Sequence, residues 1–555
     1  MARSDQGGMA SARPTRVLFV CPRYNDNSFW GLEAACALQG AKALAPPLGL
    51  ITLAALLPHS WDMRLVNNNT GQVTDKDIKG ADLVMVGCML AQEPDALAVI
   101  ARCQSLGVAV AAGGPAPTST PDVYAHADFL FTGEAEGVID DLVAAWNRGE
   151  RTGRFDAEKF KADVSKSPTP RFDLLKFDDY LWVNVQFSRG CPFTCEFCDI
   201  IELYGRAPRT KTPEQVLREL DRLYELGYRG QVDFVDDNLI GNKKAVKQLL
   251  PHLYGWQQAH GYPFKFSTEA SLNLADDREL LMMMRRANFF SLFVGIETPD
   301  EATLVQTSKK QNTRRSIGES IERLHRAGMY VAGGFIIGFD QEEDGVSEAM
   351  TACIQDTGVA MATIGLLTAL PNTQLSRRLA KEGRLFEGYR DSVTASGDMA
   401  LAGLNFRTLR PRADIWRDYR RTVAAVYAPE AFFARLRVIG RRVRQPRFQK
   451  GARISWPLAL KDARSFARLS WAMSVTHPEL RRLFWSALWD SARHYPLALE
   501  AVIRNAGAYL HLYPLSKHLI RAMDARLAEI ESGDWEEPPL MTKPLAPAPR
   551  ELALA

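Results

Sequence analysis

The chain has 555 residues, of which 46% are hydrophobic and 24% charged, with a formal net charge of +3 at pH 7. These values are ordinary for a soluble globular protein of about three domains, and so small a net charge indicates no class of partner. The first residues lack the apolar core of a signal peptide, and no apolar run is long enough for a transmembrane helix, so we expect neither.

Residues 15–150 alternate apolar, strand-like runs with helical patterns. Strands are predicted at 15–22, 63–69, 81–90, 108–115 and 127–136, and a helix at 48–57. This alternation predicts an α/β domain with a doubly wound, Rossmann-like parallel sheet. Such sheets bind ligands beyond the carboxyl ends of their strands, where this chain has Cys21-Pro22 and the loops 113–121 and 132–136. Residues 1–14 are predicted to be a flexible N-terminus.

A second series follows a polar, irregular segment, 151–182, that we interpret as a linker. Within 183–404 the predicted strands are 183–188, 231–238, 264–271, 289–297, 330–340 and 362–371. The helical patterns between them include 212–227, with Thr212 as its N-cap, Pro213 in its first turn and Gly227 at its end. Six such units predict a partial (β/α)6 barrel that is open on one side.

From residue 405 the pattern changes to helices rich in arginine and aromatic residues, which predicts a mostly helical domain over 405–535. The Pro-rich tail, 536–555, is predicted to be disordered. The stretch 441–473 could contact nucleic acid, lie on an anionic membrane surface, or form helices with aromatic residues in the core and arginines in solvent. We favour the helical interpretation and expect no nucleic-acid partner, leaving peripheral membrane contact as the alternative.

Three of the eight cysteines lie close together, as Cys191-x3-Cys195-x2-Cys198. A structural zinc site needs four ligands, and no fourth Cys or His follows nearby. A [4Fe–4S] cluster held by three thiolates would instead keep one iron open, at the carboxyl end of a barrel strand where such folds bind ligands. An incomplete zinc site or a chance grouping is the alternative. The other five cysteines are scattered, so we expect no disulfide framework and a cytoplasmic location.

The cysteine spacing, with Phe197 before the last cysteine, resembles the signature of the radical S-adenosylmethionine (radical SAM) superfamily. The resemblance implies that S-adenosylmethionine chelates the open iron and is cleaved to a 5′-deoxyadenosyl radical. It also implies cosubstrate contacts at the ends of the barrel strands, each of which could instead be a helix cap or a solvated loop residue. The predicted contacts are Asp236, Asp237, Asn238, Glu269, Ser271, Glu297, Gly334 and Gly338.

A doubly wound domain before such a barrel is similar to the cobalamin-binding class of this superfamily. A flavodoxin-like structural domain is the alternative. The resemblance implies cobalamin contacts at Cys88, Gly113, Gly114, Pro115, Thr118, Gly133 and Glu134. The Asp-x-His-x-x-Gly motif of many corrinoid domains is absent, so we expect cobalt without a histidine lower ligand.

Residues 15–405 resemble most closely the hopanoid C-2 methylase group, through "CPRYNDNSFW", "RGCPFTCEFCDIIELYGRAPRTKT", "YRGQVDFVDDNLIGNKKA" and "ALPNTQL". Ser188 departs from the cysteine expected there and could mark a different substrate group. The resemblance implies transfer of methyl from S-adenosylmethionine, through methylcobalamin, to an unactivated carbon of a hydrophobic substrate such as a hopanoid. It also implies a flavodoxin or ferredoxin as electron donor, while no side chain is predicted to be catalytic.

Two alternatives to this function stay open. One keeps the cofactors in a cyclase, a rearrangement enzyme, or a methylase of a tetrapyrrole, peptide or antibiotic precursor. The other is a non-enzymatic corrinoid or redox sensor.

Overall fold

The computed structural model describes residues 13–24, 27–29, 31–391, 400–444, 449, 451–453, 455–542 and 545. The predicted flexible residues 1–12 and most of the predicted disordered tail lie outside this part of the chain. The described residues form two parallel sheets of six strands each and a helical C-terminal region. The sequence predicts both sheets and the helical region, but with five strands in the first sheet.

The first sheet contains the strands β1 (Arg16–Cys21), β2 (Asp62–Asn67), β3 (Leu83–Gly87), β4 (Ala109–Gly113), β5 (Phe129–Thr132) and β6 (Gly153–Asp156). Their order is β2-β1-β3-β4-β5-β6, and all pairs are parallel. The associated helices are α1 (Glu33–Gln39), α2 (Leu48–Leu56), α3 (Asp75–Lys79), α4 (Glu93–Ser105), α5 (Pro115–Ser119) and α6 (Ile139–Asn147). Apolar clusters cover both faces of the sheet, which confirms the doubly wound prediction.

Strand β6 corrects the interpretation of 151–182 as irregular, because it pairs with β5 along the edge of the sheet. Its sequence, GRFD, is short, and Arg154 and Asp156 are exposed. Charged residues are common on edge strands, where they discourage pairing with other chains. Such a strand lacks the apolar run that marks the interior strands.

The second sheet contains β7 (Val183–Val185), β10 (Gly230–Phe234), β11 (Phe264–Glu269), β12 (Phe289–Glu297), β13 (Tyr330–Ile337) and β14 (Ala362–Leu366), while β8 (Ser188–Arg189) and β9 (Arg209–Thr210) form a small antiparallel pair. The order is β14-β13-β12-β11-β10-β7, so all six predicted strands are confirmed and β7 and β14 form the two edges of an open barrel. Its helices are α7 (Ile200–Tyr204), α8 (Pro213–Glu225), α9 (Lys243–His260), α10 (Arg278–Arg286), α11 (Glu301–Gln306), α12 (Ile317–Arg326), α13 (Val346–Thr357) and α14 (Gln374–Lys381).

Helix α8 begins as the sequence predicts. The Thr212 side chain accepts a hydrogen bond from the backbone N–H of Gln215, and the Gln215 side chain accepts one from the Thr212 N–H. Pro213 occupies the first turn, and Gly227 follows the end of the helix with φ +86°. This capping box satisfies two N–H groups that the first turn would leave unpaired.

The C-terminal region contains α15 (Arg412–Tyr427), α16 (Pro429–Arg442), α17 (Trp456–Trp471), a π-helical turn (Ala472–Thr476), α18 (Arg481–His494) and α19 (Leu499–Ser532). Helix α15 lies against the β14 edge, where the Tyr419 hydroxyl donates to the Ile364 carbonyl at 3.0 Å. The barrel and these helices share one apolar core. None of the helices that the structure describes is long and apolar enough to span a membrane.

The start of the predicted disordered tail is ordered against the barrel. The Glu387 N–H donates to the Pro539 carbonyl at 2.7 Å, and the Met541 N–H donates to the Leu385 carbonyl at 2.8 Å. The Arg407 side chain also pairs with Glu537. The prediction of disorder, which was based on proline content, is therefore wrong for 536–542. Residues of this segment form backbone hydrogen bonds with the barrel.

Candidate active site

The carboxyl ends of the two sheets face each other. Arg189, in the cysteine-bearing loop after β7, contacts Glu134 at 3.0 Å and Glu136 at 2.7 Å in the loop after β5. Arg209 approaches Glu134 at 2.7 Å from the barrel side. These charges are nearly buried, with side-chain exposures of 13% for Arg189 and 4% for Glu134. The ion pairs therefore fix the orientation of one strand-end surface against the other.

A second contact confirms that the same edges meet. The Asn372 side chain, in the loop after β14, donates to the Ser119 carbonyl at the end of α5 at 2.9 Å. Both loops follow the carboxyl ends of their strands. A ligand bound at one sheet would thus lie opposite a ligand bound at the other.

The three predicted cluster ligands lie on one loop, close enough that the charge of one thiolate raises the pKa of another. Cys195 is buried, while Cys191 and Cys198 are partly exposed. Burial, together with the neighbouring thiols, raises the pKa of Cys191 and Cys198. The positive charge of a metal would favour the thiolate form that a cluster ligand needs.

Amide groups approach two of the sulfur atoms. The Gln311 Nε2 donates to the Cys195 Sγ at 3.5 Å, and the Asn238 Nδ2 approaches the Cys191 Sγ at 4.0 Å. Hydrogen bonds of this kind tune the potential of an iron–sulfur cluster. Among the described residues, no group of three or more His, Cys, Asp and Glu side chains is arranged around a position for a single metal ion. Three soft thiols with amide donors fit an iron–sulfur cluster whose thiolates bind separate irons.

The first turn of the cysteine loop requires a glycine. Gly190 has φ +96°, and a Cβ there would lie 2.8 Å from the Gly205 carbonyl oxygen. The Cys191 N–H donates to the same carbonyl at 3.2 Å. The close approach of these two backbone segments positions Cys191 at the mouth of the barrel.

Helix α14 holds the middle of the loop. The Leu375 N–H, in the first turn of α14, donates to the Glu196 carbonyl at 2.7 Å. Arg378 contacts the Glu196 carboxylate at 2.9 Å and Asp340 at 2.8 Å. A partly buried charge network therefore holds the loop at Glu196, which lies between Cys195 and Cys198.

Asp236, one of the predicted S-adenosylmethionine contacts, supports the cysteine loop through hydrogen bonds, and its contact with S-adenosylmethionine stays a prediction. Its Oδ1 accepts hydrogen bonds from the Ser188 backbone and, at 2.5 Å, from the Ser188 hydroxyl, and its Oδ2 accepts from the Phe187 N–H at 3.1 Å. Burial raises the pKa of Asp236 to about 7. Ser188, the departure from the expected cysteine, is thus a buried hydrogen-bond donor to this carboxyl group.

Asp237 and Asn238 lie nearer to the cysteines. Asp237 accepts from the Gly190 N–H at 3.2 Å, and burial raises its pKa to about 6. Asn238 links Cys191 to Ser271 by donating to the Ser271 hydroxyl at 3.1 Å and accepting from the Ser271 N–H at 3.2 Å. Ser271 in turn donates to the Asn273 side chain at 2.6 Å. The structure brings these three predicted residues together beside the cluster loop; their contact with S-adenosylmethionine stays a prediction.

Glu269 and Glu297 end the neighbouring strands. Glu269 is exposed within the mouth, yet the surrounding protein, with Asp233 and Asp237, raises its pKa to about 8. Glu297 is buried, has φ +66° and contacts the Lys309 Nζ at 2.5 Å. Burial opposes the charge of Lys309, but Glu297 outweighs it and raises the Lys309 pKa overall. The two carboxyl groups therefore differ, because Glu269 faces open space while Glu297 is neutralised by a cation.

The two predicted glycines of β13 are packed against side chains. A Cβ at Gly334 would lie 3.1 Å from the Phe293 ring, and one at Gly338 would lie 2.7 Å from Leu404. The Gly338 N–H donates to Glu342 at 2.8 Å. Of the two, only Gly338 lies beyond the carboxyl end of the strand, and the contact of both glycines with S-adenosylmethionine stays a prediction.

The predicted cobalamin residues form one connected edge in the first sheet. Gly113 ends β4, Pro115 begins α5, and the Thr118 hydroxyl donates to the Gly114 carbonyl at 2.7 Å while accepting from the Gly133 N–H at 3.0 Å. Two side chains are committed elsewhere. The Cys88 thiol is buried beside the Tyr124 hydroxyl at 3.4 Å, and Glu134 pairs with the two arginines of the barrel. The backbone of the glycines is therefore the part of this edge that a ligand could approach. Contact with cobalamin stays a prediction.

Gly114→Ala is expected to destabilise the protein by about 1–3 kcal/mol, because φ +104° and ψ −170° are accessible almost only to glycine. The added Cβ would also lie 2.9 Å from the Cys88 carbonyl oxygen. Denaturant unfolding of the two proteins measures the loss. Gly71→Ala is the control, since no atom lies within 4 Å of a Cβ there and its φ is not positive; an equal loss in both variants would contradict the assignment.

The sequence prediction missed several residues of the site. Lys309 and Gln311 lie on the loop after α11, far along the chain from the cysteines they approach. Arg189 could have been found, because it directly precedes Gly190 and Cys191 in the motif. Glu136 lies within the strand-end loop that the sequence singled out, and only the fold shows its partner.

Family models match two parts of the chain. The Radical SAM superfamily matches residues 185–352, and a Domain of unknown function (DUF4070) matches residues 373–525. An uncharacterized methyltransferase of Synechocystis sp. is 42% identical over 490 residues, covering 88% of this chain and 89% of that protein. The hopanoid C-2 methylase of Rhodopseudomonas palustris is 38% identical over 424 residues, covering 76% of this chain and 78% of that protein.

Solved structures share the fold. The cobalamin-dependent S-adenosylmethionine radical enzyme OxsB, with aqua-cobalamin and S-adenosylmethionine bound, has a TM-score of 0.56 at 14% identity, covering 94% of this chain and 82% of that one. The radical S-adenosylmethionine methyltransferase TsrM from Kitasatospora setae has a TM-score of 0.54 at 15% identity, covering 67% and 78%. The resemblance inferred from the cysteine motif is confirmed: the chain belongs to the family of radical SAM methyltransferases that includes the hopanoid C-2 methylase of Rhodopseudomonas palustris.

Proposed function

We propose that the protein is a cobalamin-dependent radical SAM C-methyltransferase that methylates an unactivated carbon of a hydrophobic polycyclic substrate such as a hopanoid. The observation that carries the proposal is the pair of opposed strand ends, joined by Arg189, Glu134 and Glu136. The cysteine loop belongs to one edge and the glycine loops belong to the other. A substrate between them can meet a radical source on one side and a methyl donor on the other.

The residues at each edge suit the groups that the family uses. Cys191, Cys195 and Cys198 would hold a [4Fe–4S] cluster, and the backbone around Gly114 and Gly133 would approach cobalamin. When bound, these groups supply hydrogen abstraction and the methyl group. OxsB and TsrM, which share the fold, are described as binding cobalamin, which supports the assignment.

A histidine lower ligand for cobalt has no support in the first domain. His59 lies between α2 and β2, and His126 lies between α5 and β5. Both connections precede their strands and therefore lie at the amino edge of the sheet, opposite the glycine loops. The expectation of cobalt without a histidine lower ligand agrees with this placement.

The chain's own side chains orient the reaction. The Arg189 ion pairs hold the two edges at a fixed separation, so that a substrate carbon can lie between the reacting groups. Asp236 and Gly190 hold the cysteine loop, and Glu297 holds Lys309, whose ammonium lies near Cys195 and Cys198. Excluding water from the space between the edges would also protect a carbon radical. We propose a flavodoxin or ferredoxin as the electron donor.

The substrate is tested with S-adenosylmethionine labelled in its methyl group. The anaerobically reconstituted enzyme, a low-potential reductant and a hopanoid in detergent are expected to give a hopanoid carrying the label, detected by mass spectrometry. Cys195→Ala is the matched control and should give none. A cyclised or rearranged product without the label would favour the alternative reactions. Labelling only of a tetrapyrrole or peptide substrate would overturn the proposal that the substrate is a hopanoid.

A genetic measurement complements this assay. Deleting the gene in a host that makes methylated hopanoids should remove the methylated lipids and leave the unmethylated ones. An unchanged lipid profile would exclude hopanoids as the substrate.

A further inference from the structure

Helix α17 exposes an apolar face that no described residue covers. Leu469 is its only fully buried residue among those described. Trp456 is 76% exposed, Leu460 52% and Trp471 66%. The favoured sequence interpretation, with aromatic residues in the core, is therefore wrong for both of these tryptophans. Soluble proteins rarely expose several large apolar side chains together without a partner for them.

The exposed positions form one stripe along the helix. Trp456, Leu460, Ala463, Ala467 and Trp471 are separated by three or four residues, and all are exposed. This spacing places them on the same side of an α-helix. The stripe is thus a continuous surface over the length of the helix.

Helix α18, which follows the π-helical turn, also exposes apolar side chains. Trp485 is 44% exposed and Trp489 69%, one helical turn apart. The Trp485 Nε1 donates to the Ser474 hydroxyl at 2.9 Å, which joins α18 to the π-helical turn that follows α17. Val475 in that turn is 54% exposed. We call Trp456, Leu460, Trp471, Val475, Trp485 and Trp489 the tryptophan face.

Basic residues border the tryptophan face, and acidic ones are few. The helices carry Lys461, Arg464, Arg468, Arg481, Arg482 and Arg493 against Asp462 and Asp490. A protein partner could have any shape or charge, so these residues do not identify one. The combination of exposed tryptophans with basic residues is instead typical of one kind of surface. Tryptophan prefers the headgroup level of a bilayer, where arginine and lysine meet anionic headgroups.

The face lies beside the first domain. The Arg468 guanidinium, on α17, donates to the Leu38 carbonyl of α1 at 3.1 Å. Helix α1 follows β1 in that domain. A surface that receives the tryptophan face would therefore lie beside the first domain.

We propose that the tryptophan face docks on the surface of a bilayer containing anionic lipids, with the tryptophans at headgroup level and the arginines on the phosphates. The proposal rests on exposed residues and their charges, and it holds whatever the substrate is. The protein would lie on the membrane without crossing it.

Vesicle flotation tests the proposal with the full-length protein. Vesicles of phosphatidylcholine with phosphatidylglycerol are expected to carry the protein upward, and pure phosphatidylcholine vesicles much less of it. Trp456→Ser combined with Trp489→Ser should lower the partition coefficient about tenfold or more. Val305→Ser combined with Leu409→Ser is the control, because these side chains are 62% and 65% exposed away from the face; this pair should leave partitioning unchanged.

The electrostatic part has its own variants. Arg464→Gln combined with Arg482→Gln should weaken partitioning, and high salt should weaken it in the native sequence, because ions screen exposed charges. Absence of flotation with the anionic vesicles would overturn the proposal, as would equal losses in the tryptophan and control variants. A dimer in solution that the tryptophan variants abolish would also overturn it, since the face would then belong to a second copy.

Discussion

Replacing Cys191, Cys195 or Cys198 by alanine, one at a time, is expected to abolish cluster assembly and the release of 5′-deoxyadenosine from S-adenosylmethionine. Each variant would leave two thiols on the loop, too few to hold a cubane cluster with one open iron. Iron and sulfide analysis of the anaerobically reconstituted protein measures assembly, and chromatography measures the nucleoside. Methyl transfer should be lost together with it.

Cys36→Ala and Cys103→Ala are the controls. Both thiols are buried, in α1 and α4, away from the cysteine loop. Their loss should cost about 1 kcal/mol of stability and leave iron content and nucleoside release unchanged. Full cluster content in any one of the three loop variants would show that the ligand assignment is wrong.

The second large effect is expected for Arg189→Met. This change leaves the nearly buried Glu136 without its arginine partner and leaves Glu134 with Arg209 alone. Removing one partner from a buried ion cluster typically costs about 3–5 kcal/mol. Denaturant unfolding should show that loss. The two strand ends should also lose their fixed separation, so the ratio of methylated product to 5′-deoxyadenosine should fall.

Arg148→Met is the matched control for this prediction. Arg148 contacts Glu150 at 2.6 Å, but both side chains are largely exposed, at 62% and 48%. An exposed pair contributes little to stability, so the free energy of unfolding and the product ratio should stay nearly unchanged. A native product ratio in a folded Arg189→Met protein would mean that the ion pairs do not set the separation of the two edges.

The architecture of the barrel could be predicted because most positions of its strands are buried or only partly exposed. Such strands are rich in apolar residues, and all six predicted in the second series are present. Strand β6 could not be recognised, since an edge strand of four residues with exposed charges resembles a loop. The tail at 536–542 was missed for a related reason, because its order comes from pairing with a distant segment rather than from its own composition.

The candidate site shows a similar division. Strand ends and cysteine spacing predict which loops converge, because parallel strands present their carboxyl ends at one edge. They do not predict where a side chain points. Asp236 and Asn238 are two residues apart, yet one turns inward to Ser188 and the other approaches Cys191. Lys309 lies far along the chain from the cysteines, and only the fold of the loop after α11 brings it to the site.

The most direct test of the central claim is to mix the full-length, oxygen-free protein with S-adenosylmethionine and a low-potential reductant and to measure 5′-deoxyadenosine. The three-thiol site predicts a cubane cluster that binds the cosubstrate at its unligated iron and releases the nucleoside. A preparation that holds one zinc ion, or a fully assembled cluster that leaves S-adenosylmethionine intact, would contradict it.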